Sequence, residues 1–137
     1  MAKSQDWYKV SQGGGNLTVN TLSGGATCTA TAFPDKIVVD FAASSDGDSA
    51  RIDTPFGFKI VGGHVISAND VANATLQVRN TTTAVTDAVA CAVDHTVTAF
   101  GTIDDGYDEF ANGDNDLDIL GASAGCTGTV VIEIVPN

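Results

Sequence analysis

Hydrophobic and polar residues alternate over short stretches along most of this chain, which is the pattern of β-strands with one buried face. The pattern is clearest near the C-terminus, where Val130, Ile132 and Ile134 fall on one side of a strand and Val131 and Glu133 fall on the other. A strand this late in the chain must pair with strands that already exist. It is therefore predicted to complete a sheet.

Similar stretches recur upstream, separated by Gly, Asn, Asp and Ser. In residues 36–42, Ile37, Val39 and Phe41 share one face, and in residues 75–80 Leu76 and Val78 are predicted to point inward. The pair Gly62-Gly63 predicts a bulge or a tight bend in a long strand. The predicted strands cover residues 17–22, 26–32, 36–42, 50–54, 56–67, 75–80, 97–100, 101–103, 117–120 and 128–135.

The segment 84–93 is ambiguous. Val85, Ala88, Val89 and Ala92 fit one stripe of a helix, but the segment is short and has no strong cap, so a short helix and an irregular strand both remain open. The remaining spacing favours an all-β fold, an antiparallel β-sandwich or jelly roll of about eight strands. The sequence predicts one such domain over residues 16–137.

Residues 1–15 are predicted to be an N-terminal arm. They contain Lys3, Trp7, Tyr8 and Lys9 and end in the glycine run 13–15, which is typical of a flexible link. Aromatic and basic side chains are effective anchors at protein interfaces, so the arm is a candidate docking segment. The alternative is an edge strand or tail that folds over its own domain.

Charge narrows the choice of partners. Six Lys and Arg residues face seventeen Asp and Glu residues among 137, giving a formal net charge of -11. Such a chain is repelled by the phosphates of nucleic acids and by anionic membrane surfaces, so neither is an expected partner. The N-terminus lacks the apolar segment of a secretory signal, and no apolar run is long enough to cross a bilayer. We therefore expect synthesis in a cytoplasm.

Three cysteines, Cys28, Cys91 and Cys126, are widely spaced and form no Cys-x-x-Cys motif. Buried free thiols that act as small hydrophobic side chains are the first interpretation. One disulfide with a spare thiol is the alternative.

The densest acidic segment covers residues 104–118. Asp114, Asp116 and Asp118 alternate there and would share one face of a strand, opposite Leu117 and Ile119. Clustered carboxylates can hold calcium, so these three aspartates are candidate metal ligands, although the spacing does not match an EF-hand loop. A solvated acidic loop or strand edge explains the same pattern, and no cofactor is expected.

The sequence gives no reason to expect an enzyme. His64 and His95 are far apart and neither lies beside a cysteine, so they do not specify a zinc site. The string 121–125 fits Gly-x-Ser-x-Gly, but an all-β chain is not expected to supply the strand-to-helix elbow of that motif. With one Trp and two Tyr, the chain also offers little aromatic lining for a sugar-cleaving groove.

Taken together, these segments resemble the small jelly-roll decoration, or cement, proteins of tailed bacteriophage heads. The resemblance covers about residues 56–137, and residues 1–55 match nothing in that family. The segments that carry it are 57–61, 64–66, 74–78, 84–90, 111–114, Leu117 and 128–136.

The resemblance implies a non-enzymatic structural protein of the virion. Such a protein would be a homotrimer that binds the outer capsid surface and bridges neighbouring copies of the phage major capsid protein. Lys3, Trp7, Tyr8 and Lys9 would then be the capsid contacts. The alternatives are a calcium-dependent carbohydrate-binding jelly-roll module and a component of the phage tail or baseplate.

Overall fold

The computed structural model describes residues 15–24, 26–43, 45–111, 116–122 and 125–136. These residues form an all-β sandwich of two antiparallel sheets, which confirms the predicted fold class. The predicted arm lies almost wholly outside the described residues. Within the described ranges, no helix is long and apolar enough to cross a membrane.

The described residues contain thirteen strands, of which eight have four or more residues. Their bounds are β1 (Gly15–Leu17), β2 (Val19–Ser23), β3 (Thr27–Ala32), β4 (Lys36–Ala43), β5 (Ser49–Ile52), β6 (Phe58–Ser67), β7 (Thr75–Asn80), β8 (Thr83–Ala84), β9 (Val89–Ala90), β10 (Val97–Ala99), β11 (Glu109–Phe110), β12 (Leu117–Ala122) and β13 (Cys126–Pro136). The first sheet has the order β1-β3-β4-β13-β6-β10, and β11 also pairs with β6. The second has the order β2-β5-β12-β7-β8, and β9 also pairs with β7.

Strand β13 lies in the middle of the seven-stranded sheet, between β4 and β6. Its alternation sets which side chains are buried: Val130 and Ile132 are fully buried, whereas Glu133 is exposed. Where β13 passes β6, the register shifts between Glu133 and Ile134, and Val61 is the extra residue on β6. The predicted irregularity at Gly62-Gly63 is thus a β-bulge beside that pair.

The core lies between the two sheets and is built from β-branched and aromatic side chains. Phe58 stacks on Phe110 with ring centroids 4.5 Å apart and an interplanar angle of 7°. Phe56 packs against Phe58 at a tilt, 5.7 Å away. Pairing of β11 with the first residues of β6 places Phe110 in this stack.

Three sequence predictions are corrected by the structure. Residues 17–22 were expected to form one strand, but the chain forms β1 in one sheet and β2 in the other. The break is at Thr18, whose carbonyl accepts a hydrogen bond from the amide of Asp53 beside β5. Residues 101–103 form no strand and contribute a single bridge, Thr86 to Ile103. Segment 109–110, predicted only as part of the acidic loop, is strand β11.

The ambiguous segment 84–93 is an irregular strand and not a helix. The amides of Val85 and Thr86 both donate to the carbonyl of Val78, so the chain follows the edge of β7. The hydroxyl of Thr86 also accepts a hydrogen bond from the amide of Val78 at 3.2 Å. The amides of Val85 and Thr86 thus find their hydrogen-bond partner on β7, whereas in a helix they would have bonded to carbonyls of the same segment.

Candidate interaction surface

The sequence-predicted contact residues of the arm, Lys3, Trp7, Tyr8 and Lys9, lie outside the described residues. So does Asp114, the first of the three candidate metal ligands. Asp116 and Asp118 are described, and both of their carboxylates contact the guanidinium group of Arg51.

The contact between Arg51 and Asp118 is bidentate. Nε donates to one carboxylate oxygen at 2.9 Å and Nη2 donates to the other at 3.0 Å. Nη1 lies 3.2 Å from an oxygen of Asp116. The prediction that Asp116 and Asp118 share one face is therefore confirmed, but that face is engaged by an arginine.

Burial controls the ionisation of this cluster. The side chain of Asp118 is 5% exposed, and the loss of water raises the pKa of its carboxyl group. The hydrogen bonds from Arg51 act in the opposite direction without cancelling that effect. In return, the hydrogen bond to Asp118 raises the pKa of Arg51. Within the described residues, no group of three or more His, Cys, Asp or Glu side chains is placed to hold a metal ion.

The acidic loop after residue 103 is held by hydrogen bonds between side chains and its backbone. Asp104 accepts a hydrogen bond from the amide of Gly106 at 2.9 Å. The side-chain amide of Asn80 donates to the carbonyls of Tyr107 and Glu109 at 3.0 and 3.1 Å. The loop is thereby fastened to the end of β7. Within the part of the loop that the structure describes, the carboxylates form no group placed to hold a metal ion.

The two histidines also lie apart. His64 is half-buried on β6, opposite Val131. His95 lies in a turn with a positive φ of 63°, and its Nδ1 is 3.1 Å from the carboxylate of Asp94. A strand would have placed Asp94 and His95 on opposite faces, and the turn brings them together instead.

A different feature stands out once the sheets are assembled: the outer face of the seven-stranded sheet is largely uncharged. Four of its side chains, Val61, Ile66, Val97 and Val135, are exposed by 52%, 37%, 62% and 42%. We call this surface the outer face. It is made of the strand positions whose side chains point away from the other sheet. These are 27, 29 and 31 on β3, 36, 38, 40 and 42 on β4, 127, 129, 131, 133 and 135 on β13, 59, 61, 64 and 66 on β6, 97 and 99 on β10, and 109 on β11.

The strand register joins these positions into continuous rows. One row runs from Val97 through Ile66 and Thr129 to Asp40 and Thr29. The hydroxyl of Thr129 donates to the carboxylate of Asp40 at 2.8 Å. A shallow groove of about 340 Å³ lies at this end, where Thr and Ala side chains form much of the lining.

A second row brings valines side by side. His64 pairs with Val131, and Val131 pairs with Val38 across β13 and β4. The outward positions carry two lysines, Lys36 and Lys59, and three acids, Asp40, Glu109 and Glu133. The formal charge of the outer face is thus about -1 in a chain whose net charge is -11.

The opposite surface, on the six-stranded sheet, has the reverse character. Its central row is Arg51, Asp118 and Arg79, each in register with the next. Arg79 donates to the side chain of Gln77 at 2.8 Å. Arg51 there is paired with Asp116 and Asp118 within the molecule, whereas the outer face exposes β-branched side chains to solvent.

Comparison of the chain with models of known protein families, with curated proteins and with solved structures finds no match.

Sequence reasoning missed two of these features. Arg51 had no visible link to the acids, because 67 residues separate it from Asp118 and only the pairing of β5 with β12 joins them. The outer face did have a signal. In β13 the outward positions include Thr127, Thr129 and Val131, where a solvated face normally has charged residues.

Proposed function

We propose that this chain is a structural virion protein that binds the outer surface of a phage capsid and stabilises it by bridging major capsid protein subunits. It acts as a homotrimer, without catalysis and without a cofactor. The observation that carries the proposal is the outer face, a broad, nearly neutral sheet surface in an otherwise strongly acidic chain. Exposed apolar patches of this kind mark protein interfaces.

The outer face is assigned to contacts between copies. Two chains of charge -11 repel each other over most of their surfaces, so they can approach closely only where the charge is low. Val61, Ile66 and Val97 supply apolar area there that association would remove from water.

The capsid contact is assigned to the arm. Lys3 and Lys9 are two of the six basic residues, and Trp7 is the single tryptophan. Aromatic and cationic side chains are the anchors most often found at protein interfaces. Three arms on one trimer would bind three neighbouring sites at once, so weak single contacts would add up through effective concentration.

The test is co-sedimentation of the purified chain with undecorated phage heads on a density gradient, with copies counted per shell. We expect saturable binding at a number that matches the capsid symmetry. Decorated heads should also keep their DNA at higher temperature than bare heads.

Tyr8→Ala should weaken this binding at least tenfold, while Tyr107→Ala is the matched control. Tyr107 is 47% exposed in the acidic loop, so its removal deletes the same chemical group from a surface outside the assigned contact. No binding by the unaltered chain would refute the capsid assignment, and binding to tails alone would replace it with the tail or baseplate alternative.

A further inference from the structure

Two of the three cysteines meet in the interior, at a point where the two sheets come together. Cys91 directly follows β9 at the edge of the six-stranded sheet, and its amide donates to the carbonyl of Ala74. Cys126 begins β13 in the seven-stranded sheet and pairs with Ala43 of β4. Both are buried, with exposures of 0% and 1%.

Cys126 and Gly128 both face inward on β13, and the sulfur of Cys91 lies beside this face, close enough for each thiol to shift the pKa of the other. The sulfur of Cys91 also lies 3.4 Å from the carbonyl oxygen of Thr127 and 3.7 Å from the hydroxyl of Ser67. Cys91 therefore reaches across from one sheet to the backbone of the other.

Gly128 leaves room for this approach. A β-carbon at that position would lie 3.2 Å from the sulfur of Cys91 and 2.7 Å from the carbonyl oxygen of Ile66. Any other residue would push against both. The glycine thus keeps the space in which Cys91 meets β13.

We propose that Cys91 and Cys126 form an oxidative modification site, at which, as the chain folds and before the two sulfurs are buried, a small-molecule disulfide such as oxidised glutathione converts the two thiols into one disulfide that ties the sheets together. This inference does not depend on the proposed function. It assigns the two buried thiols as the pair and leaves Cys28 as the spare thiol.

The reaction balances in two exchange steps. The Cys91 thiolate attacks one sulfur of oxidised glutathione, forms a mixed disulfide and releases one glutathione thiolate. In the mixed disulfide Cys91 is no longer a thiolate, so the largest cause of the raised pKa of Cys126 is gone; Cys126 then loses its proton to solvent and attacks the Cys91 sulfur, which releases the second glutathione. The protein is oxidised by two electrons and two protons, and two molecules of reduced glutathione are formed.

The local environment favours Cys91 as the first nucleophile. The hydrogen bond with Cys126 lowers the pKa of Cys91, and the same contact raises the pKa of Cys126. Cys28 differs, because burial raises its pKa to about 11 and the nearby Asp40 adds to the effect. A thiol with a raised pKa is a poor nucleophile at neutral pH.

The test uses the full chain, refolded from urea either in reduced glutathione or in a glutathione mixture rich in the oxidised form. Free thiols are then alkylated under denaturing conditions and counted by intact mass, and the cross-linked peptides are mapped. We expect the oxidised protein to lose the mass of two hydrogen atoms and to alkylate at Cys28 alone.

The bond would close a loop between residues that are 35 positions apart. On a chain-entropy model it should raise the urea midpoint of unfolding by about 1 to 2 M. Cys28→Ser should behave like the unaltered chain, while Cys91→Ser and Cys126→Ser should show no oxidative rise. The mapping on the unaltered chain holds even if those two variants fail to fold.

Three alkylatable thiols after refolding in the oxidising mixture would overturn the proposal. So would a mapped bond that includes Cys28.

Discussion

At the scale of single residues, Gly128 is a position where the packing of this sandwich leaves no room for a side chain. We expect Gly128→Ala to destabilise the fold by about 1 to 3 kcal/mol, since the added methyl group meets the Ile66 carbonyl at 2.7 Å and backbone cannot move aside cheaply. Urea unfolding measures the difference. Gly15→Ala is the control, because a β-carbon there meets nothing within 4 Å; equal losses in both variants would contradict the argument.

Arg51 illustrates a second residue-scale effect, in which a buried charge depends on one partner. In the unaltered chain the side chain of Asp118 is 5% exposed and accepts a bidentate contact from Arg51. Arg51→Ala removes that contact and leaves the buried carboxylate without it. We expect a loss of about 2 to 4 kcal/mol at neutral pH, since breaking a buried pair strands the remaining charge. Arg79→Ala should lower the free energy of unfolding by less than half as much, because Arg79 donates to the neutral side chain of Gln77. Its removal therefore takes no hydrogen bond from a buried charge.

The loss on Arg51→Ala should depend on pH. The pKa of Asp118 is already raised by burial, so its contribution to stability is fully present below the unfolded pKa of about 4 and is lost as pH rises through the folded pKa. Removing Arg51 raises the folded pKa further, because its lowering contacts disappear. The loss of unfolding free energy caused by Arg51→Ala should therefore be smaller when urea unfolding is repeated at about pH 4.5. Equal losses at acid and neutral pH would refute the linkage.

At the scale of elements, β13 holds the seven-stranded sheet together. It pairs with β4 on one side and β6 on the other, so its removal would leave two unpaired edges in the middle of the sheet. We expect a chain lacking residues 126–137 to show no cooperative unfolding transition by circular dichroism. A chain lacking residues 1–14 is the control and should unfold cooperatively. A cooperative transition in the first chain would show that β13 is dispensable.

The elements also show how far the sequence could predict the fold. Strands such as β4, β7 and β13 were predictable because strict alternation reports a buried face directly. The split of residues 17–22 was not, since Leu17 and Val19 continue one alternation while Thr18 changes sheets. Strand β11 was hidden because two residues carry no periodicity, and only pairing with β6 defines it.

The candidate surface was partly predictable for a related reason. Thr and Val at the outward positions of β13 could be read from the alternation, but their neighbours on β6 and β10 depend on register. The meeting of Cys91 with Cys126 depends on how one sheet packs on the other, which no local pattern encodes.

At the scale of the whole molecule, the two sheet surfaces differ in how their charged and apolar side chains are arranged. The six-stranded sheet carries Arg51 and Arg79 beside Asp116 and Asp118, whose charges offset one another, whereas the outer face has few charged side chains and exposes Val61, Ile66, Val97 and Val135. This difference between the two surfaces favours association of copies through the outer face. Contact through the neutral face keeps the remaining acidic surfaces apart, and it removes the exposed valines from water.

The proposed trimer should therefore respond to salt in a specific direction. Copies that repel through a charge of -11 but adhere through a neutral face should associate more strongly as salt screens the repulsion. Sedimentation equilibrium at about 20 mM and about 300 mM sodium chloride tests this, since the Debye length falls from roughly 20 Å to roughly 6 Å. We expect the trimer fraction to rise with salt.

Val97→Asp separates the contribution of the face from that of total charge. Val97 is 62% exposed on β10, within the outer face, and Val93 is 60% exposed in the turn before that strand. Both substitutions add one negative charge at an exposed valine. We expect Val97→Asp to shift the chain to monomer at both salt concentrations and Val93→Asp to leave the trimer nearly intact. Association that weakens as salt is added would instead indicate pairing of opposite charges, and the outer face would then not be the contact between copies.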